Sequence, residues 1–287
     1  MSLEPIRIED VLYWHLRNAD CFEQLELLKD KCVDHVFDDP PYSEHVHNNS
    51  RRGGSKGAPN ASPATQDGTL IRPKRGARLA ISVERPLEFE PLTDADRKVL
   101  ARHYARITRR WVGVCCDIEG RQAWQDELEA AGLQYVRTLF WHKVGSTPQM
   151  TGDRPSEGME AIVIAHPKGR KRWNGGGKDN FYSFPIVRGT HPDRMHPTQK
   201  PIELMRQIIE DFTDPGDLVL DAHAGSCTTG VACIEKNRRF IGFEQKKLFF
   251  DKGYARLQRA SRQEILFRVA PTGKQEKLLL DVPGASV

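Results

Sequence analysis

Asp217-Leu218-Val219-Leu220-Asp221-Ala222-His223-Ala224-Gly225-Ser226-Cys227-Thr228-Thr229-Gly230 runs on into Val231-Ala232-Cys233-Ile234. An apolar run, a tight turn of small residues and a helical pattern follow in succession, the local geometry of a nucleotide-type cofactor site. Further on, Arg239-Phe240-Ile241-Gly242-Phe243-Glu244 reads as a short strand ending in a carboxylate. The step from Gly225 to Glu244 is about the spacing at which an acidic residue meets a ribose in Rossmann-like sites. Phosphate binding would want more glycine and a basic partner, and this turn has neither. A sulfonium nucleoside fits it better than a dinucleotide.

Outward from that unit, short β-branched runs alternate with helical patterns, which argues for an α/β fold with a largely parallel sheet. Residues 33–38, 111–117, 135–142, 161–165, 217–222 and 240–244 are the expected strands. Residues 21–29, 94–110, 121–131, 201–212, 229–236 and 246–262 are the expected helices. Thr93-Asp94-Ala95-Asp96 offers a cap for the second helix. Its apolar positions Val99, Leu100, Tyr104 and Ile107 share one face, leaving Arg102, Arg106, Arg109 and Arg110 mostly exposed. Residues 1–287 are expected to form a single domain. Within it, residues 43–90 read as a mobile loop region near the site, because 48–63 is mainly Asn, Ser, Gly and Pro and buries little apolar surface. Residues 167–195, rich in Gly, basic and aromatic residues, read as a recognition element inserted between core strands.

Val33-Asp34-His35-Val36-Phe37-Asp38-Asp39-Pro40-Pro41-Tyr42 reads as a buried strand stopped by two prolines. Ligands of an open parallel sheet bind beyond the carboxyl ends of its strands, so Asp39 and Tyr42 belong at the mouth of a site. The exocyclic amine of adenine or cytosine is a poor nucleophile, because its lone pair is delocalised into the ring. A carboxylate accepting one N–H bond, with the Pro40 carbonyl accepting the other, localises that lone pair toward a methyl donor. Proline there leaves a carbonyl with no neighbouring N–H to compete, and it stiffens the turn. Tyr42 adds a flat face on which an extruded base can stack. A plain Pro-Pro turn capped by an acid is the competing reading, and the tetrapeptide alone does not exclude it.

His196-Pro197-Thr198-Gln199-Lys200-Pro201-Ile202-Glu203-Leu204 precedes an amphipathic helix that Pro201 can start. Thr198 as a simple cap and Lys200 as a solvated charge both remain open. No stretch approaches the roughly 20 apolar residues that span a bilayer. The start Met1-Ser2-Leu3-Glu4-Pro5 lacks a basic-then-apolar leader, so the expected location is the cytoplasm. Six cysteines form no CxxC pair, so no zinc is expected and the thiols read as reduced. The net charge of +4 is too mild to prove a polyanionic partner. Its placement says more: Arg51, Arg52 and Lys56 share one polar stretch, and Lys168-Gly169-Arg170-Lys171-Arg172 runs into Trp173. Clusters on loops suit phosphate contacts, with solvated surface as the alternative.

Taken together these residues closely resemble the amino-methyltransferases of DNA, the adenine-N6 and cytosine-N4 enzymes of restriction–modification and orphan bacterial or phage systems. The resemblance covers roughly Leu16 to Leu257. It rests on Asp20-Cys21-Phe22, Asp39-Pro40-Pro41-Tyr42, Trp141-His142-Lys143, His196-Pro197-Thr198-Gln199-Lys200-Pro201 and Asp221 through Gly230. That family permutes its segments, and a catalytic tetrapeptide ahead of the cofactor turn is the order of its β class. The resemblance implies a seven-stranded Rossmann-like methyltransferase core in circularly permuted order, with target recognition in the 167–195 insertion. It implies S-adenosylmethionine as cofactor, met by Asp20, Cys21, His196, Thr198, Gln199, Lys200, Asp221, His223, Gly225, Ser226 and Glu244. Asp20 would face the adenine and Glu244 the ribose. Asp39, Pro40, Pro41 and Tyr42 would hold a base flipped from double-stranded DNA, with Arg51, Arg52, Lys56, Lys168, Arg170, Lys171, Arg172 and Trp173 as DNA contacts. A homodimer and no metal complete the expectation, and Asp as the first tetrapeptide residue tilts the base toward adenine N6.

One departure stands out. Relatives usually carry Asp-Pro-Phe and a richer glycine turn where this chain has Asp221-Ala222-His223-Ala224-Gly225-Ser226-Cys227. His223 stands for an aromatic and Cys227 for a glycine; the cofactor is still expected to bind, because His223 is flat and the turn keeps Gly225, with weaker and pH-dependent affinity. Methyltransferases of RNA or protein amides often begin the tetrapeptide with Asn, and a non-catalytic DNA-binding copy would lose it.

Overall fold

The computed structural model describes residues 6–42, 91–146, 155–188, 194–195 and 198–268, the last five by backbone alone. The 43–90 region, with Arg51, Arg52 and Lys56, lies outside the described residues, as does His196.

Hydrophobic alternation builds one sheet. Its strands are β1 (Trp14–Arg17), β2 (His35–Asp38), β3 (Val112–Cys116), β4 (Gln134–Val144), β5 (Met159–His166), β6 (Phe181–Pro185), β7 (Leu218–Asp221) and β8 (Arg239–Phe243). The spatial order is β1-β8-β7-β2-β3-β5-β4-β6. Strands β1, β8, β7, β2 and β3 run parallel, and β5 is antiparallel to both β3 and β4. Strand β6 then pairs in parallel with β4. The described sheet therefore has eight strands rather than seven. Patterning missed β1 and β6 because each is short, and β6 sits inside the stretch read as an insertion.

Period-two alternation sends successive side chains to opposite faces. Val36, Val112, Val114, Leu218 and Leu220 pack with helices α1 (Cys21–Leu27), α2 (Asp94–Ile107) and α3 (Arg121–Ala130). Phe37, Cys115, Ile162 and Val219 pack on the other face with α4 (Ile202–Phe212), α5 (Thr228–Glu235) and α6 (Lys247–Arg268). The result is three layers, with the sheet in the middle.

Helix α2 starts as its sequence requires: the Thr93 hydroxyl accepts from Asp96 N at 3.1 Å while Asp96 accepts from Thr93 N at 3.1 Å. It ends at Ile107, three residues short of expectation, because Thr108 turns extended and bridges to Val33. Two arginines expected in solvent are engaged. Arg106 donates to the carbonyls of Leu25 and Leu28, and Arg110 pairs with Asp214 and Asp217.

The chain crosses from β2 to β3 on one side, while β7 and β8 fill the other side of β2. That reversal opens a crevice at the carboxyl ends of β2 and β7, where open α/β sheets bind ligands.

Gly113 on β3 leaves room for the Phe37 ring, since a Cβ there would come within 2.5 Å of Phe37 Cδ1. Gly113→Ala should lower unfolding free energy by about 1–3 kcal/mol, the usual cost of overpacking a core. Urea denaturation followed by circular dichroism measures it.

Candidate active site

The crevice holds a cleft of about 720 Å³. Asp39, Pro40, Pro41 and Tyr42 line it together with Asp20, Cys21, Thr198, Lys200, Asp221, His223, Gly225, Ser226 and Glu244. Residues scattered from position 20 to position 244 thus converge because β2, β7 and β8 end side by side.

The turn after β7 forms one wall. Gly225 adopts φ 48°, a region that costs a side chain, and its N–H donates to Glu244 Oε2 at 2.9 Å. Lys246 N donates to Glu244 Oε1 at 2.7 Å. Two backbone donors thereby aim this carboxylate, which burial nonetheless pushes above its usual range. Asp20 caps α1 through Phe22 N at 2.8 Å and accepts from Gln245 Nε2 at 3.2 Å. It is both a structural cap and a residue of the cleft.

Cys227 has φ 57°, so the position where relatives carry glycine keeps the glycine backbone. Its thiol is accommodated by Gly253 of α6, whose hypothetical Cβ would lie 2.5 Å from Sγ.

His223 donates or accepts at both ring nitrogens. Nδ1 lies 3.0 Å from Asp38 Oδ2, and Nε2 lies 3.4 Å from Cys21 Sγ. Burial disfavours its charge, but the Asp38 carboxylate outweighs burial, and His223 is held well above the usual histidine range. Asp38 also accepts from His223 N at 2.9 Å and from the Tyr104 hydroxyl of α2. Burial opposes ionisation of Asp38, yet His223 and these hydrogen bonds hold it below the usual carboxylate range. Neighbouring Asp221 goes the other way, pushed well up by burial and by the Asp38 charge.

Asp39 belongs to a separate network. Lys200 Nζ donates to Asp39 Oδ1 at 2.6 Å and Oδ2 at 2.7 Å, and to the Tyr42 hydroxyl at 3.2 Å. The same ammonium lies 3.2 Å from Glu160 Oε2, and Glu160 Oε1 pairs with Lys143 Nζ at 2.9 Å. Lys200, 5% exposed, is thus not a solvated charge: it lines the cleft and is the counter-ion of the tetrapeptide carboxylate. Burial and the nearby Glu160 still raise Asp39 above its usual range, against the pull of Lys200.

Gln199 is not on this cleft. It accepts from Met195 N at 2.8 Å and faces an adjoining cavity of about 470 Å³ with Lys143, Arg188 and Arg194. The basic run Lys168, Arg170, Lys171 and Arg172 is not at the site either. Antiparallel β5 pairs Ala161 with Cys116 and Ala165 with Val112, so the chain leaves it at the amino edge of the sheet. There Lys171 donates to Gln134 Oε1 and Arg172 pairs with Asp214. Trp173, half-buried, packs edge-on against Phe212 at 4.8 Å on that same edge.

Asp38, Tyr104, Lys143 and Glu160 were not picked out as site residues from sequence. Two consecutive acids at a strand end were the available signal for Asp38. Glu160 had none, because its role depends on how β5 pairs with β3.

Known proteins resemble this chain in sequence and in fold. A family model described as DNA methylase, covering N6 and N4 enzymes, matches residues 33–255. The chain is 23% identical over 268 residues to the type II methyltransferase M2.LlaDCHI of Lactococcus lactis subsp. cremoris, covering 86% of this chain and 90% of that one. It is 45% identical over 83 residues to the DNA adenine methyltransferase YhdJ of Escherichia coli (strain K12), covering 29% and 28% of the two chains. The M1.HpyAVI–SAM complex superposes with TM-score 0.59 at 23% identity, over 85% of this chain and 98% of that one. PvuII DNA methyltransferase, cytosine-N4-specific, superposes with TM-score 0.61 at 13% identity, over 89% and 94%.

The His223–Asp38 pair makes a pH prediction. A histidine pKa raised by folding stabilises fully below the unfolded value and loses that contribution as pH rises toward the folded one. Unfolding free energy should therefore fall as pH rises above the ordinary histidine value of about 6.5, with this group contributing up to about 1.4 kcal/mol per pH unit. Urea titrations of wild type and His223→Gln should show the slope in the first and its loss in the second. With the tetrapeptide, the cofactor turn and the sheet order on one scaffold and the family model spanning most of the length, the chain belongs to the N6/N4 DNA methylase family.

Proposed function

We propose that this protein transfers a methyl group from S-adenosylmethionine to the N6 amino group of an adenine rotated out of double-stranded DNA. The observation that carries the reading is the shared cleft. The Asp39 carboxylate at the end of β2 opens into the same space as the Gly225 turn and Glu244 at the ends of β7 and β8. S-adenosylmethionine fits that wall, since Glu244 offers acceptors for ribose hydroxyls and, among the described residues, no cluster of cations there demands a phosphate. The M1.HpyAVI complex, similar in fold, was solved with this cofactor.

Across the cleft, the amine of the extruded base donates to Asp39 and to the Pro40 carbonyl while its ring lies against Tyr42. Accepting both N–H bonds draws the lone pair out of conjugation and toward the sulfonium methyl, and fixed geometry supplies much of the acceleration. Bound S-adenosylmethionine would supply the methyl group and leave as a thioether, and Asp39 or solvent would take the amine proton. Rotating the base out costs about a few kcal/mol of stacking and pairing. Asp as the first tetrapeptide residue, with the adenine methyltransferase relative, favours adenine over cytosine. Lys143, Arg188 and Arg194, around the adjoining carboxyl-edge cavity, are better placed for phosphates near the mouth than the amino-edge run. A homodimer belongs to the same reading, and sedimentation equilibrium of the purified chain tests it.

Asp39→Ala should lower methyl transfer by about a hundredfold or more, the order lost with a transition-state hydrogen-bond partner. Cofactor binding, read by calorimetry, should stay close to wild type. Transfer of tritiated methyl to unmethylated plasmid DNA measures the first; a variant that still methylates at the wild-type rate contradicts the assignment.

A further inference from the structure

Glu160 belongs to none of the sequence motifs, yet it sits directly behind the tetrapeptide. It lies near the start of β5, paired with Trp141 of β4. Its Oε1 takes the Lys143 ammonium at 2.9 Å, and its Oε2 lies 3.2 Å from Lys200 Nζ. Lys200 in turn covers both Asp39 oxygens. Four charges therefore alternate along one line: Lys143, Glu160, Lys200, Asp39. The inner pair has almost no solvent, with side-chain exposure of 5% for Lys200 and 11% for Glu160.

This arrangement resolves a conflict in the site. Asp39 must accept an N–H from the incoming amine, but both its oxygens already accept from Lys200. If Asp39 were the only counter-charge, turning one oxygen to the substrate would leave an ammonium only 5% exposed on half of its partner, a penalty for a buried charge. We propose that Glu160 is a positioning residue for methyl transfer, sharing the Lys200 ammonium so that Asp39 is free to turn one oxygen to the amine. The inference rests on the function proposed above. Glu160 Oε2 is already in place for this, since the Lys200 ammonium lies 3.2 Å from it.

The charges facing this line predict a distinct signature. Lys200 faces Asp39, Glu160, Tyr42 and Cys115. Asp39 faces Lys200, Glu160 and Asp38. Glu160 faces Lys200 and Lys143, with Cys116 and Glu157 also within its field. Burial raises Asp39 most, and the Glu160 charge adds to that rise. Neutralising Glu160 therefore makes Asp39 easier to ionise while trapping it against Lys200.

The test uses the full chain, tritiated S-adenosylmethionine and unmethylated plasmid DNA, with single-turnover rates measured across pH. Glu160→Gln should slow transfer by about tenfold or more, as expected when a buried charge pair loses one partner. Its acid limb should move to lower pH, with cofactor affinity unchanged and Glu160→Asp recovering most of the rate. The inference is overturned if Glu160→Gln transfers at the wild-type rate with an unmoved acid limb. It is also overturned if melting temperature, cofactor binding and rate fall together in both Glu160 variants, which marks a purely structural role. If the wild type transfers no methyl to DNA, the proposed function fails first.

Discussion

Two adjacent carboxylates end strand β2, and neither is free in water. Alternation along the strand sends Asp38 toward the face packed by α2 and Asp39 toward the opposite face. Each finds a positive or hydrogen-bonding partner inside the protein, and fully buried Asp38 requires one, because an unpaired buried charge costs several kcal/mol. Asp38 finds His223 and Tyr104; Asp39 finds Lys200. Those partners come from α2, the turn after β7 and the segment before α4, so satisfying one dipeptide ties together three distant parts of the chain.

That constraint also explains the departure at the cofactor turn. An aromatic at position 223 would give Asp38 no counter-charge, whereas the imidazole neutralises it and still presents a flat ring to the cleft. Cys227 is tolerated in a left-handed conformation because Gly253 leaves room for its thiol. The turn has changed its side chains while keeping its backbone.

Much of this was legible in the sequence. The strand–turn–helix at Asp217–Gly230 and the tetrapeptide placed the cleft, and Asp20, Thr198, Lys200, His223, Gly225 and Glu244 all reached it. What escaped depended on pairing partners. Lys200 looked equally like a cofactor ligand or a surface charge, since nothing local says that an ammonium faces a carboxylate many residues away. Glu160 was invisible for the same reason. The basic run at Lys168–Arg172 looked like a DNA contact by composition, but the reversed direction of β5 carries it to the far edge of the sheet. Strand direction is a property of the whole sheet, and local patterning does not report it.

The central claim is that the carboxyl edge of β2 and β7 is a site for methylating an exocyclic base amine. Its most direct test is nucleoside mass spectrometry of unmethylated duplex DNA incubated with the purified protein and S-adenosylmethionine. The account predicts N6-methyldeoxyadenosine in wild-type reactions and none with Asp39→Ala. N4-methyldeoxycytidine would contradict the choice of base, and the absence of any methylated nucleoside would contradict the account itself.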